Sequence, residues 1–204
     1  MFDRIVIATQ NPAKRERYAK ILQSFARHVV SLKDLGNIEK PEESGETAEA
    51  NALIKAKYYA SRTGLPVVSE DEALYVDFLA EADQPGVHVR RIDRVEEVDD
   101  DALLAHWERR LTDVPSERRT GRWHFAYAVV LPDGRSSVAS LERRIRFYAP
   151  SSPVRISGWP MSSLQGPIEF AKPHSEMSEE EKARANAEVD SMIGEAIAPL
   201  FSPL

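Results

Sequence analysis

The sequence predicts an α/β protein built on a mixed sheet. Two observations carry this. The first seventy residues or so alternate apolar runs with amphipathic segments in the order β-α-β-α-β, which implies a layered structure with some parallel pairing. Later, the long strand-like runs Trp123–Leu131 and Ser137–Tyr148 flank Pro132-Asp133-Gly134, a hairpin signal. That hairpin is assigned to a second lobe with antiparallel pairing.

Each element has its own reason. Arg4–Ala8 is mostly apolar, as a strand buried on both faces is. Asn11 is a good N-cap and Pro12 suits the first helical position, so a helix follows. Its Tyr18, Ile21, Leu22 and Phe25 fall at i, i+3, i+4 and i+7, an apolar stripe for the sheet. His28–Leu32 reads as the next strand, and an acidic loop around Glu42-Glu43-Ser44-Gly45-Glu46 follows. Thr47 caps a helix from Ala48 to Thr63 that Gly64 ends. Pro66–Ser69 then forms a strand that delivers Glu70, Asp71 and Glu72 at its carboxyl end. Asp99–Leu111 is a helix with Leu103, Leu104, Trp107 and Leu111 on one face. Ala149–Pro153 is the clearest linker candidate. Ser178 and Glu181 make a capping box for a last helix reaching about Ala196.

Composition narrows the function classes. At 204 residues the chain supports one large domain or two lobes on a shared core. No run is long enough to span a bilayer, and the N-terminus is charged too early for a signal peptide. The absence of cysteine excludes disulfides and thiolate chemistry and suits a cytoplasmic protein. With a net charge of −6 the chain has no global basic field for nucleic acid. Local arginine groups at Arg90, Arg91 and Arg94, at Arg118, Arg119 and Arg122, and at Arg143, Arg144 and Arg146 read as solvated faces. The five histidines show no metal-ligand spacing.

Two stretches carry candidate chemistry. Thr9-Gln10-Asn11-Pro12-Ala13-Lys14 puts a hydroxyl, a carboxamide and an ammonium at a strand-to-helix junction, a ready anion site with Lys14 as the full charge. It lacks the glycines of a Walker loop, and ordinary helix capping is its plainer explanation. Glu43, Glu70 and Asp71 are carboxylates at the ends of neighbouring segments. Facing a phosphate, they need a cation, and Mg²⁺ held by one or two carboxylates is the usual answer. A further carboxylate orients or deprotonates water. Lys55, inside the second helix, is placed to reach the same cleft.

These segments, in this order, resemble the inosine triphosphate pyrophosphatase family. The matching pieces are Thr9-x-Asn11-x-x-Lys14, the run from Glu43 to Ala56 with Asn51 and Lys55, Thr63–Pro66, Glu70-Asp71-x-x-Leu74, Pro85-Gly86-Val87 with Arg91, and Glu176-Met177-Ser178 with Lys182. The resemblance implies an elongated two-lobed α/β fold with a nucleotide cleft between lobes, about 1–80 plus the C-terminal helix and about 81–160, and usually a homodimer. It implies hydrolysis of a nucleoside triphosphate to monophosphate and pyrophosphate. It assigns Thr9, Asn11 and Lys14 to the phosphates, Glu43 and Asp71 to Mg²⁺, and Glu70 or Asp71 to the attacking water. Lys55 and Lys182 become cationic contacts to triphosphate or base.

The match is uneven. The family's Asp-Asp-Ser-Gly-Leu is Glu70-Asp71-Glu72-Ala73-Leu74 here, and its base pocket is reduced to Ser157-Gly158-Trp159-Pro160. Its Ser-His-Arg becomes Asn186-Ala187-Glu188. Replacing an arginine donor by Glu188 favours a base that presents an amino group, such as adenine, over inosine or xanthosine. Trp159 is the candidate to stack that base, and solvated Glu188 on a drifted helix is the competing explanation. A nucleotide-binding protein without turnover is the alternative function. Paired Glu43 and Glu46 would also suit helical pyrophosphatases, whose all-helical pattern conflicts with the strands.

Overall fold

The computed structural model describes residues 1–36, 38–92 and 98–201. Arg94 of the first arginine group therefore lies outside the described residues. Its strands are β1 (Phe2–Ile7), β2 (Ala26–Ser31), β3 (Val67–Val76), β4 (Thr120–Val130), β5 (Ser136–Phe147) and β6 (Gln165–Pro167). The α-helices are α1 (Pro12–Leu22), α2 (Ala48–Thr63), α3 (Asp100–Leu111) and α4 (Glu179–Ile197). The strands form one six-stranded sheet in the order β2-β1-β3-β4-β5-β6. β1 pairs in parallel with both β2 and β3, whereas β6 runs antiparallel to β5. The short turn at Leu131–Arg135 between neighbours β4 and β5 permits only a hairpin. The sheet is mixed, as expected.

The chain divides into two compact units. The first comprises Met1–Glu72, Phe125–Leu141 and Glu188–Leu204, and the second Ala73–His124 and Glu142–Ala187. The division cuts along β3, β4 and β5, so each unit holds its own stretch of these strands. The hairpin tip belongs with the N-terminal strands. The Ala149–Pro153 segment lies within the second unit and is not a linker. Ser152 is buried there, its N–H donates to the Ser163 carbonyl at 2.7 Å, and Ser151 N–H donates to Glu108 Oε1 at 2.7 Å. Pro/Ser composition signalled a break, but buried backbone groups found partners instead.

In the first unit, parallel pairing aligns Val6 with Val67 and Ile7 with Val68. Alternation along the strands then sorts the side chains. Ile5, Ile7, Val68, Tyr127 and Val129 join Tyr18 and Leu22 of α1 and Val189, Ile193 and Ile197 of α4 in one buried cluster. Ser69, one residue beyond Val68, faces the other way, and its hydroxyl donates to the Ala52 carbonyl of α2. α1 and α2 thus cover opposite faces of β3. That is what right-handed crossovers require when the chain leaves β1 leftward to β2 and returns rightward to β3.

Helix ends follow the expected chemistry. Thr47 Oγ1 accepts from Ala50 N–H at 3.2 Å, and Gly64 takes the left-handed conformation at φ 64° that closes α2. Ser178 and Glu181 exchange hydrogen bonds of 2.8 and 3.2 Å at the head of α4. α1 stops at Leu22, so Phe25 packs on the cluster from beyond the helix.

In the second unit α3 buries Leu103, Leu104, Trp107 and Leu111, the predicted face, with Trp107 stacked on Phe147 at 5.6 Å. The arginines there serve the scaffold. Arg144 pairs with Asp77 and Arg122 with Glu142, while Arg119 donates to the Val114 carbonyl. Among the described residues, no helix is long and apolar enough to cross a membrane.

Candidate active site

One expectation about the acidic stretch is corrected. β3 does not end at Ser69; it runs to Val76, and Glu70, Asp71 and Glu72 lie inside it. The reason is that Ala73, Leu74 and Val76 are buried and reward continued extension. What ends near Ser69 is the pairing with β1, whose last rung has the Ala8 N–H donating to the Val68 carbonyl at 2.8 Å. Beyond it, one edge of β3 opens beside the loop that carries Thr9 and Asn11. This is the point where connections from β1 and β3 diverge, the place where open α/β sheets gather ligands.

Because strand side chains alternate, the three consecutive carboxylates split between two faces. On the α1 face, Lys14 Nζ lies 3.1 Å from Glu70 Oε2 and 3.0 Å from Glu72 Oε2. On the α2 face, Lys55 Nζ lies 2.7 Å from Asp71 Oδ1 and 3.3 Å from Glu43 Oε2. The two groups are electrostatically joined, since the Lys55 charge is felt at Glu70.

Local structure aims each of these groups. Thr9 Oγ1 accepts from Asn11 N–H at 3.2 Å, and Asn11 Oδ1 accepts from Lys14 N–H at 3.3 Å. This caps α1 and sets Lys14 in its first turn. Asn51 and Lys55 are four apart on α2 and share a face. Asn51 is buried; its Oδ1 accepts from Gly45 N–H at 2.8 Å and its amide hydrogen-bonds Asp71. Asn51 therefore fastens the loop of Glu43 to both α2 and β3. A side chain at Gly45 has no room, because a Cβ there would stand 2.6 Å from Asn51 Oδ1. Lys40 adds a second, exposed cation 3.0 Å from Glu43 Oε1.

Burial and charge compete at each group. Burial pushes the Asp71 carboxyl up, and the Lys55 charge only partly offsets it. Burial likewise raises Glu70 against the pull of Lys14. At Glu43 burial also works upward, but Lys55 and Lys40 outweigh it and hold the carboxyl below its ordinary value. For Lys14 burial favours the neutral amine, yet Glu70 and Glu72 prevail and keep the ammonium well above the usual lysine range. Four carboxylates thus face two enclosed ammonium groups, an excess of negative charge that a further cation would relieve.

Two oxygens from different carboxylates that reach one ammonium at 2.7 and 3.3 Å are also placed to share a small hard cation. Among the described residues, no three His, Cys, Asp or Glu side chains group as metal ligands. A hard cation held by two carboxylates would complete its shell with water and phosphate oxygens.

The remaining predicted residues lie elsewhere. Trp159 and Lys182 belong to the second unit. Trp159 is half-buried beside a short 3₁₀ turn, and Lys182 pairs with Glu179 at 2.9 Å along α4. Glu188 is exposed on the part of α4 that belongs to the first unit. The motifs alone assign no role to Asn51 or Glu72. The alternation of Glu70-Asp71-Glu72 was the signal for Glu72, and the i, i+4 spacing from Lys55 was the signal for Asn51.

Comparison with known proteins agrees on the lineage. A model of the Ham1 family matches residues 5–189. A dITP/XTP pyrophosphatase of Symbiobacterium thermophilum is 40% identical over 149 residues, covering 70% of each chain. One from Geobacillus kaustophilus is 34% identical over 178 residues, covering 87% of this chain and 85% of that one. The crystal structure of a nucleoside-triphosphatase/dITP/XTP pyrophosphatase from Mycobacterium abscessus has a TM-score of 0.70 at 30% identity, covering 98% of this chain and 100% of its own. A HAM1 protein from Coxiella burnetii, at 20% identity and a TM-score of 0.73, shares the fold.

Proposed function

This chain belongs to the Ham1 family, and from that premise we propose that it hydrolyses a nucleoside triphosphate to monophosphate and pyrophosphate with the help of Mg²⁺. The observation that carries the proposal is the convergence of Glu43 and Asp71, from a loop and a strand, on one cationic point at 3.3 and 2.7 Å. A protein that only bound nucleotide would gain little from carboxylates next to phosphates. The sequence resemblance and the dITP/XTP pyrophosphatase relatives support the same reading.

The residues take these roles. Glu43 and Asp71 would hold the cation, which when bound offsets charge on the phosphate oxygens. Lys14 and Lys55 supply fixed positive charge to the triphosphate, and the capped turn of Thr9 and Asn11 presents the start of α1 to it. Asp71, with Glu70 as the alternative, holds the water that attacks the α-phosphorus. The water oxygen bonds to phosphorus, the bond to the leaving pyrophosphate breaks, and the water proton passes to the carboxylate. Positioning and electrostatics supply most of the acceleration in such reactions.

We further propose that the base preference has moved from inosine and xanthosine towards an amino-bearing base such as adenine, with Glu188 as the acceptor that selects it. The support is chemical: Glu188 is an exposed acceptor where the resemblance implies a donor. Absence of cysteine supports a cytoplasmic setting, and the resemblance supports a homodimer. The test is pyrophosphate release across the common NTPs and dNTPs, with inosine and xanthosine triphosphates included and EDTA as control. Hydrolysis that EDTA abolishes is expected. No turnover of any nucleotide would refute the activity, and inosine triphosphate as clear best substrate would refute the base preference alone.

A further inference from the structure

We propose that Glu72 is a built-in competitor for Lys14 that weakens the hold of the site on phosphate and eases release of pyrophosphate. The inference rests on the reading above, in which Lys14 contacts the triphosphate.

The geometry is specific. Glu70 and Glu72 are two apart on β3 and so share the α1 face, where both reach the same ammonium at 3.1 and 3.0 Å. They are not equivalent. The Glu70 side chain is 6% exposed and enclosed, whereas that of Glu72 is 28% exposed. Glu70 therefore anchors Lys14, and Glu72 is the partner that can turn into water when a phosphate arrives. An ammonium has three protons to donate, and two carboxylates already engage them. One ammonium against two carboxylates leaves this group with a net charge of −1, so an arriving polyanion meets repulsion that Glu72 supplies.

The consequence is a site whose main phosphate cation is never bare. A triphosphate must displace Glu72 to engage Lys14, which costs affinity. The same carboxylate returns to Lys14 as pyrophosphate departs and opposes its rebinding. Glu72 touches the group that touches phosphate, so it acts as a positioning residue that sets affinity.

The experiment is a calorimetric titration of wild type, Glu72→Gln and Glu72→Ala with inorganic pyrophosphate in Mg²⁺ buffer, alongside kcat and KM for the best nucleotide. Glu72→Gln keeps the size and an acceptor while removing the charge, and a cooperative melt checks that each variant folds. Loss of one partly exposed charge beside the lysine should tighten pyrophosphate binding about fivefold and lower KM similarly, with no rise in kcat. A merely structural Glu72 would lower the melting temperature without tightening anything. Unchanged or weaker binding in both variants overturns the proposal, as does failure of wild type and both variants to bind pyrophosphate. If no nucleotide is hydrolysed but the titrations still tighten, the proposed activity has failed and the competition at Lys14 stands.

Discussion

Glu70 and Asp71 are neighbours in the chain, yet they serve different lysines on opposite faces of β3. Glu70 holds Lys14 of α1 at 3.1 Å, and Asp71 holds Lys55 of α2 at 2.7 Å. The peptide between them joins the group proposed to face phosphate to the group proposed to hold the cation. Because α1 and α2 are delivered to opposite faces by right-handed crossovers, one strand addresses both helices at the point where β1 stops.

Asp71→Asn should abolish most hydrolysis, with kcat falling about 10²-fold or more if the carboxylate both holds the cation and takes the water proton. Single-turnover assays at saturating nucleotide check this. A kcat within threefold or so of wild type would place the base elsewhere.

Asn51→Leu should detach the Glu43 loop. It removes the acceptor for Gly45 N–H and the donor to Asp71 in a buried setting, leaving the Gly45 N–H unpaired and Asp71 with Lys55 alone. A loss of about 1–3 kcal/mol in urea unfolding is expected, together with a fall in activity larger than the fraction unfolded explains. Stability and activity both unchanged would contradict the role given to Asn51.

Gly45→Ala should act on the same joint from the other side. Its added Cβ would meet Asn51 Oδ1 at 2.6 Å and the Ala50 Cβ at 2.7 Å, so the loop must shift. Affinity for the cation is expected to fall while the global melting temperature changes by only a few degrees, about what 1–2 kcal/mol produces in a chain of this size. Titration with Mn²⁺ in place of Mg²⁺ reads the first, and calorimetry the second.

Much of this architecture was legible in the sequence. The caps of α2 and α4 and the buried face of α3 are local chemistry, and Thr47, Gly64, Ser178, Glu181 and Leu103–Leu111 report them directly. The extent of β3 was not legible, because three charged residues look like a strand end until Lys14 and Lys55 are seen to pair with them from two helices. The apparent linker at Ala149–Pro153 misled for a similar reason: its partners, Glu108 and Ser163, lie far off in sequence or across a turn. Of the candidate site, the lysines and carboxylates were legible by type and order. Which lysine meets which carboxylate depends on strand alternation and crossover hand, which no single motif records.

Stability should depend on Asp77 in a pH-dependent way. Burial favours its neutral form, but Thr120 Oγ1 at 2.6 Å and Arg144 Nη2 at 2.8 Å outweigh it and hold the carboxyl below its ordinary value. A folded pKa below the unfolded one contributes stability above the unfolded value and loses it as pH falls through the folded one. Asp77→Asn should therefore lower the melting temperature by about 1–3 °C at neutral pH, and the gap from wild type should close in strong acid. A gap that persists unchanged at low pH would point to packing.

The central claim is that Glu43 and Asp71 jointly hold the divalent cation beneath the triphosphate. Its most direct test is calorimetric titration of Mg²⁺ into the protein with a non-hydrolysable triphosphate analogue, for wild type, Glu43→Gln, Asp71→Asn and the double variant. Each single change should weaken cation binding at least about tenfold, close to 1.4 kcal/mol, with the double variant losing less than both penalties combined. Cation affinity that survives both substitutions intact would contradict the account.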